Sequence, residues 1–351
     1  MDIRPAGGTV DMMMFMATQT SAHEPNPLLI FDALNSFQRA LALKAGIELE
    51  VFTHIGAGAT SAAEIARRAK ASEKGTRILC DFLTIEGFLT KENGAYGLAP
   101  DTAVFLDKKS PAYFGSIAYF LTHPSHVANY LDLADSVRKG GAVHDQGNMG
   151  PEAPVWVEFA KSMAPMSAMA SAGMAQIVNL PGQPMKVLDI AAGPGAYGIE
   201  IAKLNPLAQV YGQDWKNVLE LSTEHARQAG VGDRYHTIPG SAFDVDFGTG
   251  YDLILLPNFL HHFDHATNVK LLKKVRAALK PGGHVATVEF VPNDDRISPP
   301  MPAAFSMMML GSTEGGDAYT FKELDAMLRD AGFGESTAQP LGPQTLILTK
   351  Y

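Results

Sequence analysis

Two hydrophobic rhythms divide the chain. Up to about residue 180, apolar residues recur three or four positions apart, the spacing of amphipathic helices. From residue 185 onward they come in short continuous runs, the signature of strands buried on both faces. The clearest run, Val187-Leu188-Asp189-Ile190, stops at Ala191-Ala192-Gly193-Pro194-Gly195-Ala196-Tyr197-Gly198 and resumes as Ile199-Glu200-Ile201-Ala202-Lys203. That order reads as strand, tight glycine turn and helix, the unit that opens a doubly wound sheet. Further strands are expected at 208–214, 235–239, 251–256 and 284–291. A helix at 266–279 is stopped by Lys280-Pro281-Gly282-Gly283, and a proline-rich loop, a capped helix from Thr320 to Gly332 and a closing strand at 345–348 follow. The alternation predicts an α/β sheet with a ligand at the carboxyl ends of its strands.

The first half has an order of its own. Residues 28–43 predict a helix, with Gly46 placed to end it. Thr60-Ser61-Ala62-Ala63-Glu64 predicts a helix start in which a hydroxyl, and a carboxylate three residues on, satisfy free N–H groups reciprocally. Residues 72–88 predict another helix, with Arg77, Ile78, Leu79, Phe82 and Leu83 facing inward, and Asn93-Gly94 predicts a tight hairpin turn between 87–90 and 96–98. Short helices closed by a hairpin make a winged helix. The helix preceding its hairpin, around Arg77-Ile78-Leu79-Cys80, is too apolar and too nearly neutral to read a DNA groove, so dimerisation is the better use of the unit. Residues 111–180 should be helical around 113–121, 127–137 and 154–180. The last segment carries Phe159, Met163, Met166, Met169 and Met174 near one stripe, suited to core packing or to the wall of a pocket. The division expected is a loose, Met-rich arm over 1–25, a winged-helix dimerisation domain over 26–110, a helical linker and pocket wall over 111–180 and a ligand-binding α/β domain over 181–351.

Composition narrows the partners. At 351 residues, with 46% hydrophobic and 19% charged residues, the chain is long enough for two domains with a large core. A net charge of −9 offers no footprint for nucleic acid or an anionic membrane. One cysteine, Cys80, excludes an internal disulfide and fits a reducing compartment. With no apolar run of about 18 residues to span a bilayer and no cationic leader, the cytoplasm is the expected location.

Gly193, Gly195 and Gly198 spell the G-x-G-x-x-G fingerprint of dinucleotide sites, with Asp214 near the distance that fingerprint requires. Charge argues for another ligand. A pyrophosphate takes backbone N–H groups at a helix start, and here Asp189 at the strand tip would repel it while Pro194 offers no N–H. S-adenosyl-L-methionine carries an ammonium and a sulfonium, both of which favour a nearby carboxylate. Asp214, ending the next strand, is placed to accept ribose hydroxyls. His261 and His265 have metal-like spacing, but no acidic cluster joins them and no metal is expected.

Taken in order, the acid, glycine loop, second acid, Ser-Ala-Phe loop, His-His-Phe, Lys-Pro-Gly-Gly and strand ending in Glu289 resemble class I S-adenosylmethionine-dependent methyltransferases. More narrowly, the chain resembles small-molecule O-methyltransferases of the plant caffeate, acetylserotonin and bacterial polyketide-tailoring type, from the winged helix to the C-terminus. The resemblance implies that Asp189, Gly193 and Gly195 hold the methionine end of the cofactor, Asp214 the ribose, and Trp215 with Ser241, Ala242 and Phe243 the adenine. Ser241 stands where the family usually has an acid. Phe159 and Met163 match a pocket-lining F-x-x-x-M pair, and Met309 a substrate contact; Met166, His262, Met307 and Met308 extend that wall. His261 matches the general base. The chemistry agrees, because a phenol titrates near pH 10 and needs a base of near-neutral pKa to become a nucleophile at pH 7. Glu289, ending the following strand, is expected to orient it. Two departures are Ala191 for the first glycine of the strand-tip motif and Ala318 where a second acid is usual. The activity implied is methyl transfer to a hydroxyl of a small apolar or aromatic molecule by a homodimer. C-methylation at an activated carbon and a relative that binds the cofactor without methylating are the alternatives.

Overall fold

In the computed structural model, residues 26–144, 152–180 and 182–351 are described; the arm expected over 1–25 lies outside them. The chain opens with α1 (Leu28–Glu48), α2 (Val51–Gly56), α3 (Ala62–Ala69) and α4 (Glu73–Ile85), then the hairpin β1 (Leu89–Glu92) and β2 (Ala95–Leu98). Short helices α5 (Pro100–Phe105), α6 (Ile117–Leu121), α7 (Pro124–Leu131) and α8 (Leu133–Lys139) lead to the long α9 (Pro154–Val178). Strands and helices then alternate: β3 (Met185–Ile190), α10 (Ala196–Leu204), β4 (Ala208–Asp214), α11 (Lys216–Gln228), β5 (Tyr235–Pro239), β6 (Tyr251–Pro257), α12 (His265–Ala278) and β7 (Leu279–Glu289). The chain closes with α13 (Pro300–Ser312), α14 (Phe321–Asp330), β8 (Ser336–Leu341) and β9 (Gln344–Lys350).

The N-terminal elements follow local chemistry, with instructive exceptions. Asn93 and Gly94 both take positive φ, as a two-residue hairpin turn requires. Ser61 caps α3 by accepting from the Glu64 N–H, but the Glu64 carboxylate reaches forward to Arg68 at 2.6 Å instead of back to the cap. Gly46 does not end α1. It lies inside the helix, where a Cβ would come within 3.0 Å of Leu83 and 3.1 Å of Phe52, so its role is close packing. The buried face of α4 is Thr76, Cys80 and Leu83, while Ile78 faces outward. The first half of α1 stands clear of the core and exposes Leu29, Phe31, Leu34 and Phe37.

The main sheet runs β5-β4-β3-β6-β7-β9-β8, parallel through its first five strands and antiparallel at β9 and β8. Alternate residues of β3 feed opposite faces. Leu188 and Ile190 join a core with Leu271 and Val275 of α12 and Leu328 of α14. Met185 and Val187 join one with Met174 of α9, Ile201 of α10 and Ala226 of α11. A strand buried on both faces has no polar side, hence the continuous apolar run. The order reverses beside β3, whose neighbours are β4 and β6, so the crevice for a ligand opens at the carboxyl ends of these strands. The region expected to be a proline-rich loop contains α13: Pro300 occupies its first turn, where a missing N–H costs nothing.

Gly198 fixes how closely α10 lies on the sheet. A Cβ there would sit 2.6 Å from Val210 Cγ1 and 3.0 Å from Asp189 Oδ2. Alanine inside a helix ordinarily gains about 1 kcal/mol over glycine, whereas overpacking costs about 1–3 kcal/mol. Gly198→Ala should therefore lower the denaturant midpoint despite its better helix propensity, and a raised midpoint would show that the helix can lift off the sheet.

Candidate functional site

Three strand ends and a turn assemble the first half of the site. The chain leaves β3 through Ala191, at φ +52°, and turns through Gly193 and Gly195 into α10. The first of these is a left-handed conformation that an alanine adopts at a cost, in line with the glycine usual there. Gly195 caps α10 at φ +80°, and a Cβ on it would lie 3.0 Å from Ile199, Ser222 and the Tyr235 hydroxyl. Three contacts hold the turn. Asp214 Oδ2 accepts from the Gly193 N–H at 2.8 Å, Asp189 Oδ2 accepts from the Gly198 N–H at 2.9 Å, and the His225 ring meets the Pro194 carbonyl at 2.9 Å.

Asp189 is fully buried, and its Oδ1 has no hydrogen-bond partner. Burial pushes its carboxyl up to about 8, against the pull of the Gly198 N–H and aided by the charge of Asp214. Asp214 is pushed up to about 6, also by burial, although the Gly193 and Trp215 N–H groups oppose the shift. Two desolvated carboxylates lie under one glycine turn, and no salt bridge to either exists among the described residues. Such a cradle favours a cationic ligand and opposes a pyrophosphate. The glycine turn and its two buried acids therefore fit S-adenosylmethionine, which carries positive charge and no phosphate. Trp215 leads into α11, its N–H on Asp214 Oδ1. The Ser241–Phe243 loop follows β5 beside the end of β4, where the Gly240 N–H donates to the Asp214 carbonyl. Within that loop Ala242 is buried, and the Phe243 ring packs edge-on against Phe263 at 5.0 Å.

The second half lies past β6 and β7. Glu289 ends β7 with 2% of its surface exposed. Its Oε1 accepts from the Phe259 and Leu260 N–H groups at 3.0 and 2.9 Å, and its Oε2 lies 2.5 Å from His261 Nδ1. Asn268 of α12 donates to the Leu260 and Phe263 carbonyls and holds the same turn from the other side. The backbone thus presents His261 with Nδ1 bound to Glu289, at the wall of a cavity of about 530 Å³.

Phe159, Met163, Met166, His262, Met308 and Met309, all expected at the acceptor, line that cavity together with His261. The stripe on α9 divides: Met163 and Met166 face the cavity, whereas Met174 is core. Met169's side chain is outside the described residues. Sequence reasoning missed Phe120, Tyr130, Trp156, Asn258, Phe290 and Phe305. Asn258, at φ +52°, carried a signal as an asparagine directly after a strand; the aromatics, spread over five separate segments, carried none. His261 and His265 do not share a helix, since His261 lies in the turn before α12 and His265 begins α12 with its ring on Asp330. Among the described residues no cluster of three or more His, Cys, Asp or Glu could hold a metal, and no helix is long and apolar enough to cross a membrane.

Comparison with known proteins gives the family. Residues 31–108 match the family model of the O-methyltransferase dimerisation domain, and residues 130–334 that of the O-methyltransferase domain. The chain is 29% identical to 3-hydroxy-5-methyl-1-naphthoate 3-O-methyltransferase of Streptomyces sahachiroi, over 88% of this chain and 90% of the relative. It is 28% identical to acetylserotonin O-methyltransferase of Mus musculus, over 90% and 86%. A crystal structure from Nostoc punctiforme PCC 73102, provisionally described as an O-methyltransferase, is 47% identical and superposes with a TM-score of 0.90, covering 94% of this chain and all of the other. The glycine cradle with its two buried acids, the His261–Glu289 pair above an apolar cavity and a match across both domains place the chain in the S-adenosylmethionine-dependent O-methyltransferase family.

Proposed function

We propose that this protein methylates a hydroxyl of a small, largely apolar or aromatic molecule, with His261 as general base and Glu289 as its orienter. The observation that carries the reading is the 2.5 Å contact between His261 Nδ1 and a buried carboxylate, directly beside an apolar cavity. A carboxylate on Nδ1 keeps the proton there, so the free Nε2 is the basic nitrogen. Nε2 takes the acceptor's hydroxyl proton as the oxygen forms its new bond to the methyl carbon, and Glu289 stabilises the imidazolium that results. S-adenosylmethionine, when bound, would supply an electrophilic methyl on its sulfonium and a neutral thioether as leaving group. Residues from α6, α9 and α13 enclose the acceptor and hold it in line, which converts a bimolecular encounter into an oriented one. Ala318, where a second acid is usual, brings no carboxylate, and among the described residues Glu289 is the one carboxylate on His261. A carbon acceptor would use the same base, and the position of a transferred isotopic methyl separates the two products.

His261→Ala should lower kcat by about 10²–10⁴-fold with cofactor affinity retained. Glu289→Gln keeps the acceptor for the two backbone N–H groups but turns an amide toward Nδ1 and reverses the tautomer. It should fold and lose a similar factor; near-normal turnover by either variant would remove His261 from the base role.

The cofactor end has a testable proton balance. The carboxyl of Asp189, at about 8, lies far above its ordinary 3.8, so the folded cofactor-free protein holds a proton that the unfolded chain has released. Its stability should fall as pH rises between those values, and Asp189→Asn should flatten the melting profile. A cation over the glycine turn favours the ionised form, so binding S-adenosylmethionine at pH 7 should release a proton. Titration calorimetry in buffers of different ionisation heat measures that release, and its absence would detach Asp189 from cofactor binding.

We also read the protein as a homodimer. The dimerisation-domain match starts within α1, whose projecting half exposes Leu29, Phe31, Leu34 and Phe37. Leu34→Glu with Phe37→Glu should halve the mass measured by light scattering, and an unchanged mass would move the interface elsewhere.

A further inference from the structure

The polar residues among the described lining of the acceptor cavity are Tyr130, Trp156, Asn258, His261, His262 and Ser312, and several of their groups are already engaged. The Ser312 hydroxyl donates to the Met308 carbonyl at 2.6 Å. Asn258 Oδ1 accepts from the Gln344 amide, and its Nδ2 faces the Tyr197 hydroxyl. His261 spends Nδ1 on Glu289 and keeps Nε2. His262 differs. Its imidazole lines the same cavity, with its ring centre 4.4 Å from that of His261 and a tilt of 46° between the planes. Among the described residues no hydrogen bond reaches either of its ring nitrogens; its other contacts are edge-on to Phe259 and Phe263.

Burial, and then the charge of His261, hold the His262 imidazole well below its ordinary pKa. A neutral imidazole offers one donor and one acceptor and carries no charge with which to bind a carboxylate. Among the described residues no Lys, Arg, Asp or Glu lines the cavity. A polar group left unpaired against an apolar wall costs free energy that a matching ligand atom recovers.

We propose that His262 is a specificity-determining residue: it hydrogen-bonds an uncharged oxygen, carbonyl or hydroxyl, on the carbon next to the one whose hydroxyl is methylated at His261. Consecutive residues of one turn place both rings on one side of the cavity, at a separation that two oxygens on adjoining carbons can bridge. The acceptor is therefore a neutral molecule with paired oxygens on an apolar frame, and a free carboxylate in the second position is excluded. The inference rests on the acceptor reading above, but its test by binding does not depend on catalysis.

The test titrates the full chain, saturated with S-adenosylhomocysteine, with 2,3-dihydroxynaphthalene, 2-naphthol, 3-hydroxy-2-naphthoate and the methyl ester of that acid. The wild type should bind the diol about 10-fold tighter than 2-naphthol and the ester about 10-fold tighter than the acid. His262→Phe should abolish the preference for the diol, and His262→Gln should restore part of it; S-adenosylhomocysteine affinity in the same samples reports that each variant is folded. Equal affinities in the wild type, no binding of any naphthalene, a preference that survives in His262→Phe or a His262→Gln that behaves like phenylalanine would each overturn the proposal. If the binding pattern holds while no methyl is transferred, the acceptor reading fails and the role of His262 stands. If 2-naphthol is bound and methylated as well as the diol, the reverse follows.

Discussion

The carboxylate of Glu289 ties the fold to the chemistry. It sits at the end of a central parallel strand, and one of its oxygens satisfies two backbone N–H groups of the turn after β6. The other oxygen holds His261. A carboxylate this deeply buried is costly unless its lone pairs are filled, and here the partners that fill them also shape the turn presenting the imidazole. The register that pairs Pro257 with Val288 brings the two strand ends level. Glutamate, with two acceptor oxygens on a side chain long enough to cross from one strand to the next, meets all three demands at once.

At the other end of the crevice the electrostatics run the opposite way. Asp189 and Asp214 are both pushed upward by burial, and one Asp189 oxygen has no partner. A fold that served only itself would gain by replacing Asp189 with a neutral side chain. The buried acids make sense as groups that a cationic ligand over the glycine turn would draw into their ionised form. The glycine spacing is therefore shared with dinucleotide sites while the charge beneath it is not.

Much of this was legible in the chain. Apolar runs marked β3, β6 and β7, Asn93-Gly94 marked the hairpin, and Ser72 and Thr320 marked their caps. What escaped depended on distant partners. Gly46 reads as a helix stop until Leu83 and Phe52 are seen to press on it. The helix α13 hides in a proline-rich stretch because both faces of Pro300–Ser312 are apolar, which leaves no period to detect. In the site, His261 and Glu289 could be paired because strand ends are predictable. Tyr130, Phe290 and Phe305 could not be placed, since only the packed structure carries them to the same cavity.

The position of α6 links assembly to specificity. Ile117, Phe120 and Leu121 line the acceptor cavity, and the same helix packs on α9 and touches α1. The first half of α1 is apolar and stands free of its own core, while its second half shares a core with Ala118 of α6, so a second copy covering α1 would act on that wall through the helix. Methionines on α9 and α13 form much of the remaining wall, and their unbranched side chains adapt their shape at little cost. The rigid part of the site is thus the strand-end chemistry, anchored by buried carboxylates. Its adaptable part is the helical wall, which leans on the dimerisation region, so the shape of the cavity can change in that wall without disturbing His261, Glu289 or the glycine turn.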